Sequence, residues 1–166
     1  ENGEWLFAEI NIDITRRKQS ESQKEATLAA LHESEERYRT LFDTISEGVV
    51  LIAPDGQIVQ ANSAAEYILG LTHSQIESRQ YNSPDWEIQR IDGTPMPPDE
   101  MAGPRALREK RPVKNVVMGA KRPDGFVSWI NVNAVPLLSK AGVLKGVIGT
   151  FQDISERKRA EDDVKR

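Results

Sequence analysis

The sequence predicts an α+β fold built on a five-stranded antiparallel sheet, and three observations predict it. From Gly48 onward, apolar and polar residues alternate with a period of two in five short runs, the pattern of half-buried strands. Pro54-Asp55-Gly56, Arg122-Pro123-Asp124-Gly125 and Lys140-Ala141-Gly142 stand between neighbouring runs. Such tight turns imply hairpins, and hairpins imply antiparallel pairing. Before Gly48 the period of two is absent. The stretch from Thr15 to Asp43 has no Gly or Pro and is rich in Ala, Glu, Lys, Arg and Leu, which favours helix.

The elements follow in order. Leu28, Leu31, Glu35, Tyr38, Phe42 and Ile45 recur at spacings of three and four, a coiled-coil seam broken only by Glu35. Such a seam either lies on its own domain or pairs with a second copy, and pairing into a homodimer through Leu28, Leu31, Tyr38, Phe42 and Ile45 is expected. Strands are expected at 49–53 and 57–61. A short helix capped by Asn62 or Ser63 runs through Leu69 and stops at Gly70. Residues 71–97 read as irregular. A helix over 98–110 is disturbed in its middle by Gly103-Pro104. Strands at 113–121, 126–138 and 143–152 complete the sheet.

A motif occurs twice. Asp13-Ile14-Thr15 with Arg17-Lys18 matches Asp153-Ile154-Ser155 with Arg157-Lys158, 140 residues apart, and an apolar segment precedes each copy. A unit of that size is a whole domain. The chain therefore reads as a piece of something longer. Residues 1–14 are expected to be the tail of a preceding domain, 15–44 a helical connector, 45–153 a complete core, and 154–166 the start of an output helix. Asp153 is placed to cap that last helix, with Glu156 completing a capping box.

Composition narrows the function. The 166 residues carry 22 Lys and Arg against 26 Asp and Glu, a net charge of −4 with both signs interspersed. That argues against a nucleic-acid partner, which requires a clustered basic face. No apolar run reaches the roughly 20 residues that span a bilayer. With no cysteine there is no disulfide, thiolate ligand or cysteine nucleophile. The two histidines, His32 and His73, belong to no cluster spaced for a metal, and no nucleophile, base and orienting group stand together. Nothing points to an enzyme.

The quoted pieces resemble a PAS domain of bacterial and archaeal signalling proteins. They are E-S-E-E-R-Y-R-T-L-F-D at 33–43, G-V-V-L-I-A-P-D-G-Q-I-V-Q-A-N at 48–62, R-P-D-G-F-V-S-W-I-N-V-N-A-V-P-L at 122–137 and D-I-S-E-R-K-R-A-E at 153–161. The resemblance implies a five-stranded antiparallel sheet with short helices on one face, flanked by N- and C-terminal signalling helices. It implies a cytoplasmic sensing and relay module of a multidomain protein, whose parent can be membrane-anchored. The preceding domain would be a second PAS domain, and the output a histidine kinase or diguanylate cyclase.

The resemblance also raises cofactors. The cysteine of flavin-binding relatives falls on Tyr81, and their flavin-holding amides fall on Ala120, Ile130 and Phe151. Haem-binding relatives use a histidine on the later helix, and 98–110 has none. Neither flavin nor haem is expected. Strand parity instead points Val50, Ile52, Val116, Met118, Ile130, Val132, Ala134, Val147 and Phe151 inward, with Trp86 placed to close the interior. That interior is either a packed core or a pocket for a small apolar metabolite. Asp153, Ser155, Glu156 and, in the first copy of the motif, Asp13 are the expected relay positions. No direct membrane contact is expected.

Overall fold

The computed structural model describes residues 2–166, and it divides into two compact units at Leu41/Phe42. The first unit is helix: α1 spans Asn2–Thr44 and passes through residues 5–14 without a break. The apolar segment ahead of the first motif copy is therefore helical. Its Trp5, Leu6, Phe7, Ile10, Ile12 and Ile14 are all exposed, and they circle the helix rather than forming a stripe. The ion pairs Arg17–Glu21 (3.3 Å) and Glu33–Arg37 (3.0 Å) and the polar contact His32–Glu36 (3.1 Å) each join residues four apart along it. Each such pair adds only a few tenths of a kcal/mol.

The second unit holds the sheet. Its elements are β1 (Gly48–Ile52), β2 (Ile58–Ala61), α2 (Ser63–Leu69), α3 (His73–Glu77), β3 (Ile88–Gln89), α4 (Ala102–Glu109), β4 (Val113–Lys121), β5 (Val127–Leu138), β6 (Leu144–Asp153) and α5 (Ser155–Val164). The strands form one antiparallel sheet in the order β2-β1-β6-β5-β4-β3. The sheet has six strands where the sequence predicts five. The extra one, β3, has two residues, paired as Ile88↔Ala120 and Gln89↔Gly119. Two residues carry no period, so only their partner strand defines them.

The helices pack on one face of the sheet. Ala65, Ile68 and Leu69 of α2, Ile76 of α3, and Ala102 and Ala106 of α4 join Ile52, Ile58, Ile130, Ala134 and Val147 in a single core. Burying each larger aliphatic side chain contributes roughly 1.5–3 kcal/mol. α3 lies in the segment read as irregular. Its start is a complete capping box between Thr72 and Gln75. Gly103-Pro104 does not disturb the middle of a helix, because α4 begins only at Ala102, after a 3-10 turn at Pro98–Glu100. Pro104 therefore sits in the first turn, where its missing N–H breaks no bond.

Two local devices set register. Asn62 caps α2, and Gly70 ends it at φ 65°, a left-handed conformation that glycine adopts without strain. In β4 the register slips between Val113 and Val116. Asn115, at φ 58°, donates its N–H to Asn133 Oδ1 at 2.9 Å. The bulge reverses the parity upstream of it, so Val113 is buried together with the inward-pointing Met118.

Candidate functional site

Between the inner face of the sheet and the helices lies an apolar cavity of about 100 Å³. Val50, Ile52, Met118, Ile130, Val132 and Phe151 line it from the sheet, and Trp86 from the loop. Val147 does not line it; that side chain is fully buried in the core. Parity thus brings most of the candidate interior residues together around one space. It misses the rest of the lining, including Leu69, Tyr81, Ile88, Met101, Gly103 and Pro104. These sit on short helices, turns and a two-residue strand, where no period marks an inward position.

The lining offers few polar groups. Ala120, Ile130 and Phe151, all apolar, face the cavity. Trp86 Nε1 donates to the Gln80 carbonyl at 2.8 Å. The Tyr81 hydroxyl is the one remaining polar group of a lining side chain. Two glycines leave the space open: a Cβ on Gly149 would lie 3.1 Å from Val50, and one on Gly103 would lie 3.2 Å from Ile52. Ordinary ligand pockets measure roughly 300–1,000 Å³. An apolar cavity of about 150 Å³ stays dry and admits benzene. By size and lining this cavity is of the second kind. Among the described residues, no three His, Asp or Glu side chains stand together as metal ligands.

The loop that closes the cavity is tied to the β1–β2 turn. Tyr81 N–H donates to Gly56 O at 3.0 Å, and the Gln57 amide donates to the carbonyls of Glu77 and Arg79. The Arg79 guanidinium lies 4.8 Å from the centre of the Trp86 ring, a cation–π distance.

At the other end of the sheet, β6 gives way to α5. The Ile154 N–H donates to Trp129 O at 2.8 Å, and the Trp129 N–H donates to Ser155 Oγ at 2.9 Å. The ladder between β5 and β6 thus extends one step beyond the strand, with a hydroxyl in place of a carbonyl. Asp153 Oδ1 accepts the Ser155 N–H at 2.8 Å, and Lys158 Nζ stands 5.6 Å from the centre of the Trp129 ring.

The capping box expected between Asp153 and Glu156 does not form. The first helical bond runs from Lys158 N–H to Ile154 O, which makes Ile154 the cap residue, one position later than read, with no side-chain cap. Glu156 is exposed. Asp153 closes a turn ahead of the helix and, among the described residues, pairs with no basic side chain. The buried Ile154 and Trp129 were missed; the apolar Ile154 and the Trp129 of S-W-I-N were their only signals. The first motif copy is different, because Asp13 lies inside α1 and Thr15 Oγ donates to Asn11 O at 2.8 Å.

Asn62 is the other residue whose role exceeds its sequence reading. It is fully buried. Its Oδ1 accepts from Val49 N–H (2.8 Å) and Ala65 N–H (3.0 Å). Its Nδ2 donates to Phe42 O and Glu47 O, both at 3.0 Å. One side chain thereby joins the end of α1, the start of β1 and the first turn of α2. Of the seam residues, Leu28, Leu31 and Tyr38 are exposed on α1 and Phe42 is half-buried. Ile45 lies past Thr44, where the helix has ended, so the seam stops at Phe42.

A single antiparallel sheet, covered on one face by short helices around a small apolar cavity and continued by a helix from its last strand, defines the α+β class of this domain. The chain belongs to the PAS family, whose PAS-fold model matches residues 36–154. Among solved structures it is similar to the PAS domain of an HTR-like protein from Haloarcula marismortui, at 17% identity and a TM-score of 0.58. That match covers 78% of this chain and 99% of the other. It is similar to a PAS domain from Colwellia psychrerythraea at 18% identity and a TM-score of 0.56, covering 73% and 97%. An RNA-binding light-oxygen-voltage receptor matches at 21% identity and a TM-score of 0.62, covering 79% of this chain and 36% of the receptor. At these identities the likeness is one of fold. Among curated proteins none matches the sequence.

Proposed function

We propose that this PAS domain is a non-catalytic relay of a cytoplasmic multidomain signalling protein. It dimerises in parallel through the α1 seam and passes a change in its sheet to the helix that leaves it. The observation that carries the reading is the exit joint: the Trp129 carbonyl of β5 accepts from the Ile154 N–H, and the Trp129 N–H donates to the Ser155 hydroxyl. A shift of β5 therefore acts on the first turn of α5. The neighbours would be a PAS domain ahead of α1 and an output domain after α5, a histidine kinase or diguanylate cyclase. No nucleic acid or membrane surface is among the partners.

The seam supports dimerisation because Leu28 and Leu31 are more than half exposed on α1, and an isolated helix with such a seam gains stability from a partner. Sedimentation equilibrium at tens of micromolar should give a dimer, and Leu28→Glu with Leu31→Glu should shift it to monomer. A monomer for the unmodified chain contradicts the reading.

The second reading, a sensor that binds a small apolar molecule, rests on the cavity. At about 100 Å³ it would take a molecule no larger than roughly benzene. Flavin and haem do not suit this reading, since the lining gives them no anchoring amide or imidazole.

A further inference from the structure

The last turn of α4 gathers more positive charge than it neutralises. Arg105, Arg108 and Arg111 all approach the Glu109 carboxylate. Arg111 Nε lies 2.8 Å from Oε2, Arg105 Nε 3.5 Å and Arg108 Nη2 3.7 Å from Oε1. Only the Arg111 contact is a hydrogen bond. The guanidinium groups, chiefly Arg111, hold the Glu109 carboxyl below its usual range. Three cations within 4 Å of one carboxylate repel one another, and a single negative charge leaves two of them unbalanced.

The surroundings do not supply the missing charge. Lys110 and Lys114 flank the cluster and, among the described residues, pair with no carboxylate. Glu100 is taken by Arg90, with contacts of 2.7 and 2.8 Å. Asp99 offers Arg108 its backbone carbonyl, at 3.4 Å. The terminal carbonyls of α4 carry only a partial negative charge, and together with Glu109 they fall short of the three guanidinium charges. In a chain of net charge −4, residues 105–114 hold five cations and one acid.

We propose that this cluster is a receptor for a phosphoryl oxyanion, free or esterified. Arg105 would offer its two Nη groups and Arg108 its Nη1, while Arg105 Nε and Arg108 Nη2 stay on Glu109 Oε1 and hold the two guanidinium groups close together. A planar fork matches two oxygens of one phosphoryl group, and a group carrying close to two negative charges matches the surplus where a single carboxylate would not. The receptor would lie on the helix that walls the cavity: Ala102 and Ala106 of α4 are fully buried, and Gly103 and Pro104 face the cavity.

Nuclear magnetic resonance on the full chain tests this. The arginine Nε–Hε signals are followed during titration with inorganic phosphate and, separately, methyl phosphate at constant ionic strength. The expected result is a saturating shift at Arg105, Arg108 and Arg111. Binding should be at least tenfold weaker in Arg105→Lys with Arg108→Lys, which keeps the charge and loses the forks, at an unchanged melting temperature. Saturation by either probe supports the site, and a difference between them assigns free or esterified phosphate. Non-saturating shifts spread over the surface lysines and arginines, or undiminished affinity in the lysine variant, would overturn it.

Discussion

Asn62 concentrates more of the architecture than any other single side chain described here. Replacing it by alanine removes the α2 cap, a loss of about 0.5–2 kcal/mol. It also strands the Val49 N–H, and an unsatisfied buried donor costs about 1–3 kcal/mol. Asn62→Ala should therefore lower stability by roughly 2–4 kcal/mol in urea unfolding; a change under about 1 kcal/mol would show that water replaces its bonds. The sequence marks Asn62 as a cap because it precedes a helical run. Its bonds to Phe42 and Glu47 were illegible, since they join residues 15–20 positions apart. His73 and Glu66 make a second residue-scale prediction. Both His73 N–H and Nδ1 meet Glu66 Oε1. That hydrogen bond first, then the charges of Glu66, Glu77 and Asp43, raises the His73 pKa above 6.5. The same bond draws Glu66 below 4.5. The His73 contribution is complete below pH 6.5 and fades as pH rises through its raised folded value. The Glu66 contribution is complete above pH 4.5 and fades as pH falls through its lowered one. The pair thus stabilises most between those two values, by less than about 1 kcal/mol at this exposure. His73→Gln should flatten the decline in melting temperature above pH 6.5, and an unaltered slope would remove the pair from the account.

At the scale of elements, the hairpins were the most legible. Pro-Asp-Gly turns and alternating runs placed β1, β2, β4, β5 and β6 to within about a residue of their observed ends. What escaped is what has no period: α3, of five residues, and β3, of two. The exit helix failed differently. Asp153 followed by Glu156 has the spacing of a capping box, but the Trp129 bonds extend the ladder to Ser155 and push the helix start one residue on. Tertiary pairing outweighs a local cap when it satisfies two backbone groups at once. Ser155→Ala removes the acceptor of the Trp129 N–H, at a cost of about 1 kcal/mol. Hydrogen exchange should accelerate at the Trp129 and Ile154 amides while the amides of Val147 and Ile148 in the middle of β6 keep their protection. Equal protection in the variant would contradict the joint.

For the whole molecule, period-two parity was enough to find the sheet side of the cavity and silent about the side built from loop and helix. A cavity of about 100 Å³ with one hydroxyl in its lining is suited to staying empty or to holding something very small, and the exposed seam of α1 is suited to a second copy of itself. Together these features support the proposed role, a ligand-free relay that acts as a dimer. Native mass spectrometry of the protein purified from cells tests both halves in one spectrum. The expected species has twice the chain mass with nothing added; a monomer, or a dimer carrying a retained small molecule, would contradict the proposed role.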